Sequence, residues 1–483
     1  MNTDLHLTML WAAPLVGAAV CFLAGARAKY AALAFSTLFL GLVAGIAVMQ
    51  GSYAALSVIN EIGPVWAYGI SYRLSADSLS IGLIALTAFL NLICVAASWE
   101  LEVPPGYWAC FMALASALTG VFLARDLFFF FIFWEATVVP MFFIIGLWGS
   151  NNRLHAAVKF FLFTFSGSVF MLLALLALVS AHHRVTGVWT WDLAVLDATT
   201  LGAAAPLVFW GLVLGFAVKI PMVPLHTWLP DAHTEAPAAG SVMLAGVMLK
   251  MGVYGLLRVA LPLFPNLSWD ALPILGGLAA FSTIYGALCA MAQNDLKRMI
   301  AYSSVAHLGF CLLGVLSRTS QGLTGGTLQL VNHGLTTGAL FLMVGFLYER
   351  SHKRGIADFG DLAARAPYLA FFFGFSTLAS IGLPGLNGFV GEFMALSGAL
   401  AALPVLAFAG IFGVTLAAAY ALPAFQAVFW APAGPGSVSA KVTDLDLRER
   451  AVLWTLSGLM LWIGLAPKPW LAWFEPALRG LVR

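Results

Sequence analysis

The sequence predicts an all-α membrane protein of about 14 transmembrane helices, built as two inverted repeats and broken in its seventh and twelfth helices. Three observations carry that reading. Hydrophobic residues make up 61% of the 483-residue chain and charged residues only 9%, against roughly 25% charged in soluble domains, so no water-soluble fold could cover the apolar surface. Apolar runs of about 20 residues recur from end to end, the length a helix needs to cross a hydrocarbon core of roughly 30 Å. Prolines and glycines interrupt two of those runs. Residues 1–483 read as a single polytopic membrane domain, with flanking helices over 5–99, a first repeat over roughly 105–263, a second over 270–430 and a last helix at 450–467.

Taken in order, the first helix, 5–25, follows the acidic start MNTD and has neither a basic lead-in nor a clear small-residue cleavage site. It is expected to be retained, not removed as a signal peptide. Apolar runs then place helices at 30–50, 77–99, 105–124, 127–148 and 154–180. The seventh, 201–228, runs into VKIPMVPLHTWLPDAHTEAP, where Pro221, Pro224, Pro230 and Pro237 stand. Each proline removes a backbone donor and crowds the preceding turn. Helices at 236–263, 270–291, 298–317 and 325–348 follow. The twelfth, 368–402, contains ASIGLPGLNGFVGEFM with Pro384 between glycines, and 403–430 and 450–467 complete the set. The two breaks share a local pattern, Ile220 ahead of Pro224 and Leu225, and Ile381 ahead of Pro384 and Leu386. Irregular backbone at membrane depth survives only where protein buries it or where it lines a watery cavity. Such segments at matching places in two halves point to a transporter made of structural repeats; the competing reading is that prolines merely kink packed helices.

Basic residues set the orientation. Loops after odd-numbered helices hold Arg27, Lys29, Arg153, Lys297, Arg298, Arg350, Lys353, Arg354, Arg365, Lys441, Arg448 and Arg450. The other side holds Arg73, Arg125, Arg184, Arg258, Arg318, Lys468, Arg479 and Arg483. The richer set belongs in the cytoplasm, so both termini are expected on the outer, periplasmic side of a prokaryotic cytoplasmic membrane. The five cysteines lie in or beside apolar runs without a CxxC pair, which indicates neither a disulfide framework nor an iron–sulfur site. No Rossmann glycine pattern or flavin motif is present, so no cofactor is expected, and a net charge of +2 gives no sign of nucleic-acid binding.

The charges inside the helices carry the functional argument. Glu135 falls near the centre of the fifth helix, in LFFFFIFWEATVVPMFFIIGLWG, and Lys250 near the centre of the eighth. Lys219 lies in the broken seventh, Glu392 just after the break in the twelfth, and His307 and His333 near the middles of the tenth and eleventh. A charge at a helix centre costs at least about 2.5–3.5 kcal/mol, and such residues are functional candidates by default. Several have bland alternatives. Lys159, near the cytoplasmic end of the sixth helix, can snorkel to the interface, with proton uptake as its functional reading; Lys219 can snorkel too. The histidines are as well explained by polar packing between helices as by proton relay. His226 and His233 sit in the break, where capping or loop structure leads, and with Asp231 and Glu235 they resemble a metal set only loosely, so no metal site is expected.

Burial disfavours the charged form of a carboxylate or an amine, and an opposite charge nearby restores it. A buried Glu–Lys pair is therefore a proton switch: charged when together, proton-releasing when separated or wetted. Glu135 with Lys219 forms such a pair if their helices pack, and Lys250, His307 and His333 extend a titratable line that ends at Glu392. Glu392 is expected to begin the second half-helix, where unpaired amides favour a carboxylate.

The same stretches, together with QNDLKRMIAYSSVAHLGF, VNHGLTTGALF and GLPGLNGFVGEF, resemble the antiporter-like proton-pumping subunits of respiratory complex I over nearly the whole chain, most closely the M-type branch. The resemblance implies a proton-translocating subunit of an NADH:quinone oxidoreductase that binds no redox cofactor itself and is flanked by L-type and N-type subunits. It implies an ion pair between Glu135 and Lys219, a central relay at Lys250 and a channel terminus at Glu392. A glutamate at that last position fits the M-type branch, as does the expected absence of a long lateral helix. Alternatives are a subunit of a sodium/proton antiporter complex, the equivalent subunit of a membrane hydrogenase or ferredoxin-driven complex, and a structural scaffold with vestigial charges.

Overall fold

A computed structural model describes residues 3–51, 58–61 and 66–482; Arg483, counted above on the outer side, lies outside them. The helices run α1 Thr3–Leu23, α2 Ala28–Gly51, α3 Ser78–Ala97, α4 Pro105–Leu123, α5 Leu127–Trp148 and α6 Arg153–Thr186. Then come α7 Ala205–Lys219, α8 Trp228–Glu235, α9 Ala238–Leu263, α10 Leu272–Met291, α11 Leu296–Leu316 and α12 Ser320–Ser351. The chain finishes with α13 Pro367–Ser380, α14 Asn387–Ala402, α15 Pro404–Phe429, α16 Leu447–Leu465 and α17 Lys468–Leu478. One short antiparallel pair, β1 Val58–Glu61 with β2 Arg73–Ala76, joins α2 to α3.

The all-α membrane architecture stands. Among the described residues, twelve helices are long and apolar enough to cross a membrane, or thirteen counting α16 with α17, which bends away from it by 77°. The predicted twelfth helix falls short of that length because it is two half-helices, α13 and α14, of 14 and 16 residues around Ile381–Leu386. The seventh is broken likewise: α7 stops at Lys219 and α8 restarts at Trp228. Two features depart from the sequence reading. The eighth helix, α9, is interrupted by π-helical turns at Leu244–Met248 and Leu256–Ala260, and α17 continues past the predicted end at 467. Its Trp473 indole donates to the Ser78 carbonyl at 2.7 Å, which holds α17 against the start of α3.

Depth in the bundle separates the helices. The most apolar windows of α9, α11 and α12 are 94% buried, against 22% for α2 and 33% for α15, so the three innermost helices are those that carry Lys250, His307 and His333. In lipid, helix association depends on close packing because the tails are as apolar as leucine. Glycines supply that closeness between α12 and α14: a Cβ on Gly325 would lie 2.5 Å from the Ala395 nitrogen, and one on Gly398 would lie 2.2 Å from the Gly322 nitrogen. Loops outside the membrane are stapled by charge. Arg350 grips Glu449 through two bonds of 2.9 and 2.6 Å, and Asp192 takes both Arg73 and Arg125. Burial alone would raise the Asp192 carboxyl, but the Ala194 amide and the two guanidiniums hold it below its ordinary range.

Because the α12–α14 contact is backbone on backbone, Gly325→Leu should force the half-helix away. The expected cost is about 1–3 kcal/mol of overpacking, read as a lowered thermal midpoint of the detergent-solubilised protein. A midpoint equal to that of the parent would show that the seam is not tight.

Candidate functional site

The α9, α11, α12 and α14 helices bring four ionisable side chains into one series. The π turn at Leu244–Met248 widens α9 just ahead of Lys250, and the Lys250 ammonium turns back to donate to the Ala245 carbonyl at 2.6 Å. The same nitrogen lies 2.6 Å from His333 Nδ1. The His333 and His307 rings are 5.7 Å apart between centroids, and His307 Nδ1 is 3.7 Å from Glu392 Oε1. All four residues are at least 96% buried. The spatial order is thus Lys250, His333, His307, Glu392, with the two histidines in the reverse of their chain order.

Amide side chains hold the far end. Gln329 Nε2 donates to Glu392 Oε1 at 3.2 Å, while Asn332 Nδ2 donates to Gln329 Oε1 at 3.0 Å and to the Asn387 carbonyl at 2.7 Å. Asn387 begins α14, so this network ties the half-helix start to α12. Glu392 itself stands in the second turn of α14, not at its beginning, which corrects the helix-end argument: the dipole effect fades within the first turn, and Gln329 supplies the donor instead. The break still matters to it. Gly382, at φ +75°, leaves room that a Cβ would take, only 2.4 Å from Glu392 Oε2.

At the other end, Lys219 closes α7 with 1% exposure and no hydrogen-bond partner for its ammonium. That nitrogen is 5.8 Å from the Trp134 ring centroid and 5.6 Å from that of Phe160. Glu135 is half-buried, with Oε1 enclosed and unpartnered. The two make no direct hydrogen bond, yet each is the opposite charge that acts on the other. Polar atoms enclosed without partners are sites for bridging water.

Other candidates separate. Lys159 is held by Asp231 at 2.6 Å, and Asp231 also takes Arg298 at 3.2 Å. Glu235 accepts from Ser150 Oγ and from the Asn152 amide at 3.0 Å, so these carboxylates are engaged by other groups. His226 is buried beside the Tyr285 ring. His233 is not at the surface of a loop: it is fully buried in α8, stacked on Phe341 at 4.6 Å, and neither ring nitrogen has a partner. Lys297, read from sequence as a loop cation, lies buried in the first turn of α11. Composition and apolar runs do not single out the amides at 329 and 332, although their spacing with His333 places three polar residues on one face of an apolar helix.

The family described as NADH:quinone oxidoreductase/Mrp antiporter, TM, matches residues 124–417. NADH-quinone oxidoreductase subunit M of Pseudomonas aeruginosa is 43% identical over 425 residues, covering 86% of this chain and 82% of that one. The protein of the same name in Escherichia coli K12 is 41% identical over 83% of this chain and 81% of its own. Among solved structures, a chain of respiratory complex I from Thermus thermophilus with bound NADH superposes with a TM-score of 0.88 at 33% identity, covering 98% of both chains. A chain of the Mrp complex from Dietzia sp. shares the fold, at a TM-score of 0.89 and 23% identity over 100% of this chain and 98% of that one.

Replacing Gln329 with Leu should leave the buried Glu392 oxygen without its donor. The expected loss is about 1–3 kcal/mol, measured as a lower melting temperature, and it should shrink when Glu392→Gln is already present. An unchanged melting temperature in the single variant would mean that Gln329 does not hold the carboxylate.

Proposed function

The chain belongs to the NADH:quinone oxidoreductase/Mrp antiporter family, on its subunit M branch, and from that premise we propose that it is a proton-translocating membrane-arm subunit of an NADH:quinone oxidoreductase. The observation that carries the reading is the buried series Lys250, His333, His307, Glu392 in the innermost helices. Burying four ionisable groups at membrane depth is costly, and such groups are functional candidates by default.

In this reading Glu135 and Lys219 form the switch and Lys250 the central relay. An ammonium at Lys250 passes a proton to His333 Nδ1 across the 2.6 Å contact; the imidazole then releases the proton it carried on Nε2, an enclosed atom with no protein partner, to water. His307 hands on to Glu392 across 3.7 Å, a gap that a small shift or one water closes. Glu392, against the break at Gly382, is the terminal group. The subunit has no redox centre of its own, so energy from electron transfer elsewhere reaches it through neighbouring L-type and N-type subunits as charge rearrangement along this line. Lys159, fixed on Asp231, belongs to the uptake side. The fold divides into repeats over roughly 105–263 and 270–430, each with one broken helix, in the cytoplasmic membrane with both termini outward. The Mrp likeness keeps a cation/proton antiporter as the second reading, and sodium-driven proton movement without quinone reduction would favour it.

Glu135→Gln should nearly abolish quinone-linked proton pumping in an assembled complex; normal pumping there sinks the reading. At the far end, Glu392→Asp should retain partial pumping and Glu392→Ala should lose most of it, checked by NADH-driven acidification of inverted vesicles. Equal activity of the two would remove Glu392 from the path.

A further inference from the structure

The His307 ring of α11 is held between the two halves of the broken helix. Ser380, the last residue of α13, has its Oγ 3.5 Å from His307 Nε2, and Glu392 of α14 has its Oε1 3.7 Å from His307 Nδ1. We propose that Ser380 is a positioning residue of the relay: its hydroxyl donates to Nε2 and so keeps the resting His307 in the Nδ1–H form, with that hydrogen aimed at Glu392. This rests on the relay reading above and adds which nitrogen takes the proton and which gives it.

The polarity follows from one group whose role is fixed. The Asn387 backbone carbonyl only accepts, so the Asn332 side-chain atom 2.7 Å from it is the amide nitrogen. That nitrogen also meets a Gln329 side-chain atom at 3.0 Å, which is therefore the oxygen. The remaining Gln329 atom is the NH2 group, and it donates to Glu392 Oε1 at 3.2 Å. Oε1 is thus an acceptor, and the imidazole nitrogen that faces it, Nδ1, is the one that carries hydrogen. A neutral imidazole has a single N–H, which leaves Nε2 bare, and the group facing Nε2 is the Ser380 hydroxyl. At 3.7 Å Glu392 is too far to fix the ring by itself; the bond made at one ring nitrogen sets which form the other takes. The hydroxyls of Thr164 and Ser168 donate to carbonyls of their own helix, whereas that of Ser380 crosses from α13 to α11.

From this resting form the transfer is a balanced proton step. A proton binds at Nε2 and makes the imidazolium; the Nδ1–H bond then breaks as an O–H bond forms on the Glu392 carboxylate, leaving the ring neutral with its hydrogen on Nε2. A hydroxyl serves both forms, because it rotates from donating to the bare nitrogen to accepting from the protonated one. Ser376, four residues earlier and so on the same face of α13, is buried with an enclosed, unpartnered hydroxyl, a partner for water arriving on that side. The competing role for Ser380 is plain packing at a helix end.

Two readouts separate positioning from packing. Nitrogen NMR of the full chain, histidine-labelled and in lipid bilayers, reports the tautomer, with the His307 signals identified by their loss in His307→Gln. The parent should show Nδ1 protonated and Nε2 bare; the reverse overturns the proposal and needs no Ser380 variant. Ser380→Thr keeps the hydroxyl and should keep both that tautomer and the rate of NADH-driven acidification of inverted vesicles by the assembled complex. Ser380→Ala should admit the Nε2–H form and lower acidification by about tenfold. Parent-like pumping by the Ala variant, or lowered pumping with an unchanged tautomer, would make Ser380 a packing residue and overturn the proposal, as would a Thr variant no better than Ala. If instead Glu135→Gln pumps normally, the relay reading itself has failed, whatever the tautomer.

Discussion

A bilayer core offers no hydrogen bonds, and the whole structure is organised by that lack. Each backbone amide and each charge at membrane depth must find its partner inside the protein. This is why the most buried helices, α9, α11 and α12, are also the ones that carry ionisable groups, an inversion of the soluble-protein rule that charge lies outside. The Lys250 ammonium illustrates the solution at one residue: a carbonyl of its own helix on one side and an imidazole of another on the other. Neither partner is an anion. The site therefore stabilises the amine without locking it into a permanent ion pair, which a buried carboxylate in direct contact would do.

The broken helices follow from the same constraint. A proline or a run of glycines frees carbonyls and amides that only protein groups or water can satisfy, so the breaks collect polar side chains. At the α13–α14 break, Asn332, Asn387 and Gln329 form one amide network that ends on Glu392. At the α7–α8–α9 break, Lys297 meets the Ala236 carbonyl and Arg354 donates to the Thr234 carbonyl at 2.6 Å. Glycine contacts press α14 onto α12 beside the first network, while a cavity adjoins the second.

Much of this was legible in the chain. Composition excluded a soluble fold, apolar runs located nearly every span, and Pro224 and Pro384 marked both breaks, because each of these signals is local to its own segment. Glu135, Lys219, Lys250 and Glu392 stood out for the same reason: a charge inside an apolar run is visible without knowing its neighbours. Signals that need a partner were misread. Lys297 looked like a loop cation because only the packing of α11 against the α8–α9 break encloses it. His233 looked like a loop residue because α8, eight residues long, is too short to show a period. The π turns of α9 left no trace in a sequence that reads as a regular helix.

By itself, then, the sequence determined the solvent, the number and rough limits of the helices, where they break and which residues are too costly to be idle. Those are properties of single segments measured against lipid and water. The order of the relay was decided only in three dimensions: His333 precedes His307 because α12, not α11, faces Lys250. Glu392 is served by Gln329 and not by a helix end, since α14 begins one turn earlier than its glycines suggest. Tertiary structure alone could settle both points, because hydrogen bonding between helices depends on their relative rotation, and a uniformly apolar helix carries little in its sequence to say which way it turns.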